Sequence, residues 1–293
     1  MSAIVISELT KRMGKKRIFS DLNLEVIDGE FFALLGLEGS GKTTLSKILF
    51  NFLKPTKGKA TIYDMDCVRD SKNIKESVSI IPEDIIFQEN IKVSTMLKRT
   101  LSLHNLKNTD DIATLTEYFN LNSRLRLLEM NENEKKLFLI INALITKPRL
   151  LIIDEPSKYL NSNQVGKLFE YLNTLKVDEG LTVFILTQSL VEAQRYCDRA
   201  AYLYNGQIKE VEFLSDKIAN DKIIKIYSPL NDLSPFVNIG AKIIKDENKD
   251  KILYYDKDMK ILSRVIAESC IDNYSIENSS LYDKILAYFN EEA

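Results

Sequence analysis

Gly36, Leu37, Glu38, Gly39, Ser40, Gly41, Lys42, Thr43 and Thr44 contain the spacing G-x-x-x-x-G-K-[ST]. Glycines at those offsets let main-chain N–H groups close around phosphate oxygens, and the lysine reaches the β- and γ-phosphates. The hydroxyl of Thr43 suits a Mg²⁺ ion shared with those phosphates. The bland alternative is a structural glycine turn, and the flanking sequence decides against it. An apolar run at residues 31–35 reads as a buried strand, and "KTTLSKIL" reads as an amphipathic helix whose N-terminus adds positive potential. Strand, loop and helix together predict a nucleoside triphosphate site.

A second constellation lies at "RLLIIDEP". An apolar strand ends in Asp154, whose carboxylate can enter a Mg²⁺ sphere. Glu155 follows on the other side of the strand end and can polarise a water aimed at a γ-phosphate. Two acids at a strand end are common surface residues. Paired with the phosphate loop in an alternating α/β chain, they read as metal and water ligands.

The elements that must position these groups alternate between strand and helix, which argues for an α/β layered core. Two strands with a basic turn, "KRMGKKR", open the chain. Residues 84–136 switch to three- and four-residue apolar spacing, predicting helices at "NIKVSTMLKRTLSLHNL", "TDDIATLTEYFN" and "SRLRLLEM". A helix over "NENEKKLFLIINALITKP" is marked by an Asn131 N-cap with Glu134 as its capping-box acid. "AAYLYNGQIKEV" reads as a hairpin with an Asn-Gly turn. After Leu214 the pattern becomes β-α-β-β-α-β over residues 222–275, a small ferredoxin-like α+β unit of roughly 75 residues, followed by the helix "LYDKILAYFNEE". The expected division is residues 1–214 and 215–293, with a helical subdomain at about 85–136.

Composition narrows the function classes. A net charge of −2 and pI ≈ 5.8 give no footprint for nucleic acid. Cys67, Cys197 and Cys270 form no C-x-x-C pair and read as buried free thiols of a reducing compartment. The single His104 cannot build a metal site alone. The first residues carry a short strand rather than a signal peptide, and no run reaches the ~20 apolar residues of a membrane span. The chain is expected to be soluble, so a membrane role needs a partner.

Taken together, the phosphate loop, the helical insert, the capped helix running into "RLLIIDEPSKYLN" and the strand–helix "TVFILTQSLVEAQRYCDRAAYLYNGQI" resemble an ATP-binding cassette (ABC) ATPase over residues 1–212. The tail "SIENSSLYDKIL" resembles exporter ATPases of the ABC-2 type. The resemblance implies a P-loop NTPase core with a helical subdomain, ATP and Mg²⁺ as ligands, and ATP hydrolysis coupled to separate integral membrane subunits. It places the chain at the cytoplasmic face of the cell membrane.

The resemblance also exposes departures. The LSGGQ signature, which should face a partner's ATP, aligns with Met130 and a degenerate Asn131, Glu132, Asn133 and Glu134. A Glu132 carboxylate 4 Å from a phosphate charge is repelled by about 4 kcal/mol at an effective dielectric near 20. One charge-assisted hydrogen bond returns only about 1.5–3 kcal/mol. The family's Mg²⁺-binding glutamine aligns with Glu83, its switch histidine with Gln188, its D-loop aspartate with Asn161 and its adenine-stacking aromatic with Met13. Glutamine orients water but carries no charge near pH 7. A homodimer would hold two poor sites, so the expected partner is a second, different ABC ATPase subunit. The alternative is a non-catalytic nucleotide-binding regulatory subunit whose partner hydrolyses ATP.

Overall fold

The computed structural model describes residues 1–84, 86–214, 221–230, 232–247, 250–269 and 271–289. Strands β1 (Ser2–Met13) and β2 (Lys16–Ile27) form a long hairpin. The basic turn expected there is confined to Gly14 and Lys15, because Arg12 pairs with Arg17 and Met13 with Lys16. Gly14 supplies the left-handed φ of +58° that so tight a turn needs. Strand β3 (Phe31–Leu35) leads into α1 (Lys42–Leu49). Then come β4 (Lys57–Ile62), β5 (Met65–Asp66), α2 (Ser71–Ser77) and β6 (Val78–Ile81). The order β2-β1-β4-β5 makes an antiparallel sheet. The helix α2 has no counterpart in the sequence reading. Ile74 is its one buried residue, too little for a period to register.

The insert contains α3 (Val93–Leu103), α4 (Asp110–Tyr118) and α5 (Glu132–Leu144). The helix expected at "SRLRLLEM" is instead a loop with one 3-10 turn, Leu127–Glu129. Its backbone pairs in extended fashion: Leu125 O accepts from Val93 N–H, and Leu127 N–H donates to Ile91 O. Leu127 and Met130 are buried anchors of that loop, a pattern that over eight residues mimics a helix face. Ile85, part of the apolar "IIF" of this insert, lies outside the described residues.

Strands β7 (Leu150–Asp154) and β8 (Thr182–Thr187), helices α6 (Ser162–Glu179) and α7 (Leu190–Tyr196), and the hairpin β9 (Arg199–Tyr204)–β10 (Gln207–Phe213) complete a six-stranded sheet ordered β10-β9-β3-β8-β7-β6. β3, β7 and β8 are buried at every position, as parallel strands covered on both faces must be. One apolar cluster lies between this sheet and the helical insert, and another between it and the antiparallel sheet. The register sets Leu35 beside Thr187, and Asp154 beside Leu186. The phosphate loop, Asp154 and Gln188 therefore emerge along one carboxyl edge, where open α/β sheets bind ligands.

The remaining elements are β11 (Lys222–Ile226), α8 (Ser234–Asn238), β12 (Lys242–Glu247), β13 (Asp250–Tyr255), α9 (Met259–Glu268) and β14 (Tyr274–Asn278). They follow the β-α-β-β-α-β order, in an antiparallel sheet β12-β13-β11-β14. Their own core centres on Ile224, Phe236, Leu253 and Leu262. Helix α10 (Leu281–Tyr288) does not join that core: Leu281 and Ile285 pack into the cluster beneath the six-stranded sheet. Between the two sheets lies a buried polar chain. Lys284 Nζ donates to the Glu212 carboxylate at 3.0 and 3.2 Å and is 3.6 Å from Asp221. Glu212 accepts from Tyr202 Oη, and Asp221 from Tyr254 Oη at 2.7 Å. Cys67 and Cys197 are buried free thiols, while Cys270 lies outside the described residues. Among the described residues no helix is long and apolar enough to cross a membrane.

Candidate nucleotide site

The loop between β3 and α1 borders a cavity of about 730 Å³. Gly41 caps α1 with φ +110°, and a Cβ there would sit 2.8 Å from Ile18 and Phe19. Only glycine meets both conditions. Lys42, 6% exposed, folds back over its own loop. Its Nζ donates to Gly36 O at 2.6 Å and Leu37 O at 3.3 Å, and stands 3.4 Å from Glu155 Oε1. These partners occupy the ammonium that a polyphosphate would take up. Glu38, Gly39, Thr43 and Thr44 line the same cavity, while Leu37 and Ser40 border an adjoining one of about 440 Å³.

Asp154 is 1% exposed at the end of β7, and neither carboxylate oxygen accepts a hydrogen bond of regular geometry. Burial pushes its carboxyl above the usual carboxylate range, against the Thr43 hydroxyl. An orphaned buried carboxylate beside a threonine hydroxyl is a donor set that fits Mg²⁺. Glu83, the third expected ligand, lines the cavity but holds Lys158 Nζ at 2.7 Å. Glu155 sits at φ +46°, its N–H bonded to Leu186 O at 2.8 Å. A non-glycine residue held in the left-handed region at a cavity wall is a strained arrangement, and such strain clusters at functional sites. Gln188 is exposed and also lines the cavity.

Met13 does not line this cavity. It ends β1 at 43% exposure, and its cross-strand neighbour Lys16, with Ile18, forms that wall.

Three polar residues that the sequence reading did not single out converge here. Lys136, 1% exposed on α5, donates to Asp154 O at 3.0 Å and Pro82 O at 3.4 Å. Burial lowers its pKa to about 8, although Asp154 and Glu155 favour the charge. Glu192, on α7, accepts from Ser157 Oγ at 3.0 Å and lies 3.4 Å from Thr187 Oγ1, which is 3.4 Å from Glu155 Oε2. Burial pushes the Glu192 pKa up to about 7. Glu192 stands three residues after the N-cap Ser189, where an acid normally serves as an exposed capping partner. Lys158 is the third. No sequence signal separates these residues from the chain's other surface charges.

The signature segment is committed within the chain. Asn131 caps α5 and forms a reciprocal box with Glu134, at 2.9 Å each way. Glu132 pairs with Lys135 at 2.6 Å. Asn133 donates to Tyr159 O at 2.6 Å and exchanges bonds with Gln164 at 2.8 and 3.1 Å. Asn161 caps α6 in a box with Gln164. The four side chains therefore finish and brace a helix start, and none of them is unpartnered.

Comparison with known proteins agrees with this geometry. The family model described as ABC transporter matches residues 19–158. The chain is 29% identical to the Nod factor export ATP-binding protein I of Rhizobium etli over 238 residues, 78% of this chain and 74% of that protein. It is 26% identical to the bacitracin transport ATP-binding protein BcrA of Bacillus licheniformis, over 77% and 75% of the two chains. The solved ATP-binding subunit of an ABC transporter superposes with TM-score 0.68 at 25% identity, covering 73% of this chain and 91% of that one. A dimeric ATP-binding cassette bound to ADP and Pi shares the fold at TM-score 0.66 and 20% identity, over 72% and 98% of the chains. Phosphate loop, sheet order and relatives converge on one conclusion: residues 19–158 carry an ABC transporter domain, and the chain resembles the ATP-binding subunits of ABC transporters.

Proposed function

We propose that this chain binds Mg-ATP on residues 36–44 and couples its hydrolysis to export by separate integral membrane subunits at the cytoplasmic face of the membrane. The relative named for Nod factor export supports the direction. In this reading Lys42 leaves its loop carbonyls for the β- and γ-phosphates. Thr43 and Asp154 hold Mg²⁺, with Glu83 as a further ligand. Bound Mg²⁺ neutralises charge on the transferring phosphoryl group. Glu155 accepts the proton of the attacking water, and Gln188 orients that water. Residues 1–214 form the ATPase unit and residues 215–293 the accessory unit.

The observation that carries the reading is the convergence of Lys42, Thr43 and Glu155 on one cavity, with the buried Asp154 carboxylate set behind it against the Thr43 hydroxyl. The internal commitment of residues 131–134 supports pairing with a second, different cassette, whose own nucleotide would meet a weak signature face. Lys42→Ala is expected to lower ATP affinity at least tenfold, and Glu155→Gln to retain binding while cutting turnover by 10²-fold or more. Nucleotide binding unchanged in Lys42→Ala refutes the site. Unchanged turnover of the assembled transporter in Glu155→Gln assigns hydrolysis to the partner. An ATP-dependent homodimer refutes the asymmetric pairing.

A further inference from the structure

Lys158 follows the Asp154–Glu155 pair by a few residues and is about one-third exposed. Its Nζ donates to Glu83 Oε1 at 2.7 Å and to both Asp84 carboxylate oxygens at 3.2 Å. Tyr159 completes the cluster: its hydroxyl donates to Asp84 at 2.8 Å, and its ring lies 4.8 Å from the ammonium. The side chain reaches the nucleotide cavity, whose wall it shares with Thr43, Glu155 and Gln188. Of the two acids that follow β6, Glu83 borders the cavity that a polyphosphate would enter, and one lysine screens both.

The position is chemically unusual. Glu83 and Asp84 add negative charge at that edge, and Gln188 cannot offset it because a carboxamide carries none. Lys42 serves the phosphates from the loop side, beside Glu155 rather than beside Glu83. Of the cavity-lining residues, Lys158 is the basic one placed beside Glu83, opposite the phosphate loop. A lysine is a compact charge on a flexible stem, able to exchange one oxygen partner for another without moving backbone.

We propose that Lys158 is held by Glu83 and Asp84 in the nucleotide-free chain and passes its ammonium to the terminal phosphate of bound ATP, supplying the charge that Gln188 lacks. The lysine thereby senses the γ-phosphate. ATP draws it off the acids and ADP does not. Asp84, still bonded to Tyr159, stays in place, and the Glu83 carboxylate is released at the moment nucleotide arrives. A lysine that merely stapled residues 83–84 to residue 158 would affect both nucleotides alike.

This inference rests on residues 36–44 being the polyphosphate cradle, and the test separates the two. Equilibrium affinities for a non-hydrolysable ATP analogue and for ADP are measured with Mg²⁺ on the full chain, for the parent, Lys158→Met, Lys158→Arg and Lys42→Ala. Loss of one charge-assisted hydrogen bond predicts that Lys158→Met weakens the ATP analogue about tenfold or more and ADP less than twofold. Lys158→Arg, which keeps the charge, restores most of the difference. Equal weakening of both nucleotides, or no weakening of either, overturns the proposal while Lys42→Ala still loses binding. An unaffected Lys42→Ala removes the cradle itself. Should Lys158→Met fail to fold, Lys158→Gln carries the same comparison, with Asp84→Asn expected to leave the preference for the ATP analogue intact.

Discussion

The carboxamide of Asn133 and the carbonyl of Tyr159 are joined by a 2.6 Å hydrogen bond that ties the first turn of α5 to the segment following Glu155. The Gln164 carboxamide closes the bridge from α6. Asn133→Ala removes these bonds and leaves their partners to water. It is expected to cost about 1–3 kcal/mol of unfolding free energy. Urea denaturation reads the loss, and ATP affinity of the isolated chain should be unchanged, because Asn133 does not line its cavity.

Glu192 should make stability fall as pH rises. Its folded pKa of about 7 lies above the ordinary glutamate value near 4.3, so the folded state holds a proton that the unfolded state has released. That contribution is complete below about pH 4.3 and is lost as pH rises to and through 7. Glu192→Gln is permanently neutral and lacks this slope. The difference in melting temperature between variant and parent should grow in the variant's favour from pH 5 to 7.5. A constant difference would contradict the burial argument.

Lys136 has the opposite sign. Its folded pKa of about 8 lies below the ordinary lysine value near 10.4, so the unfolded chain keeps the proton longer. The cost of the buried ammonium is present in full below pH 8 and is relieved as pH climbs toward 10.4, by on the order of 3 kcal/mol. Nucleotide-free parent protein should therefore gain stability relative to Lys136→Met across that window. Paired denaturation curves at pH 7.5 and 9.5 test it.

Lys284 is 2% exposed and serves two acids, Glu212 and Asp221. Removing one partner of a buried ion pair leaves the other charge buried, and typically costs about 3–5 kcal/mol. Lys284→Met is expected to lower stability by that order. Adding Asp221→Asn should recover part of the loss, a coupling that a double-mutant cycle measures. Additive effects would show that the charges do not interact.

The strand, loop and helix around residues 36–44 were legible because main-chain conformation there dictates residue type. Gly41 admits no Cβ, and β3 is apolar throughout since both its faces are covered. The β-α-β-β-α-β order after Leu214 was legible for the same reason of local period. What escaped depends on tertiary packing. Lys136 and Glu192 are written like surface charges and become buried only when α5 and α7 meet β7 and β8. Leu127 and Met130 share a helix-like spacing yet anchor a loop, because the backbone amides beside them had already found partners before α3. Met13 was named from its place in the family pattern, whereas Lys16 and Ile18 line the cavity.

Helix α10 gives its apolar side to the interior of a layer built from sequence far upstream. A ribosome delivers this segment long after β3 and β7 have emerged, so the wall it seals stays open during most of synthesis. Heat or urea should then melt the chain in one transition rather than two, and proteolytic removal of residues 281–289 should bare Tyr202 and invite aggregation.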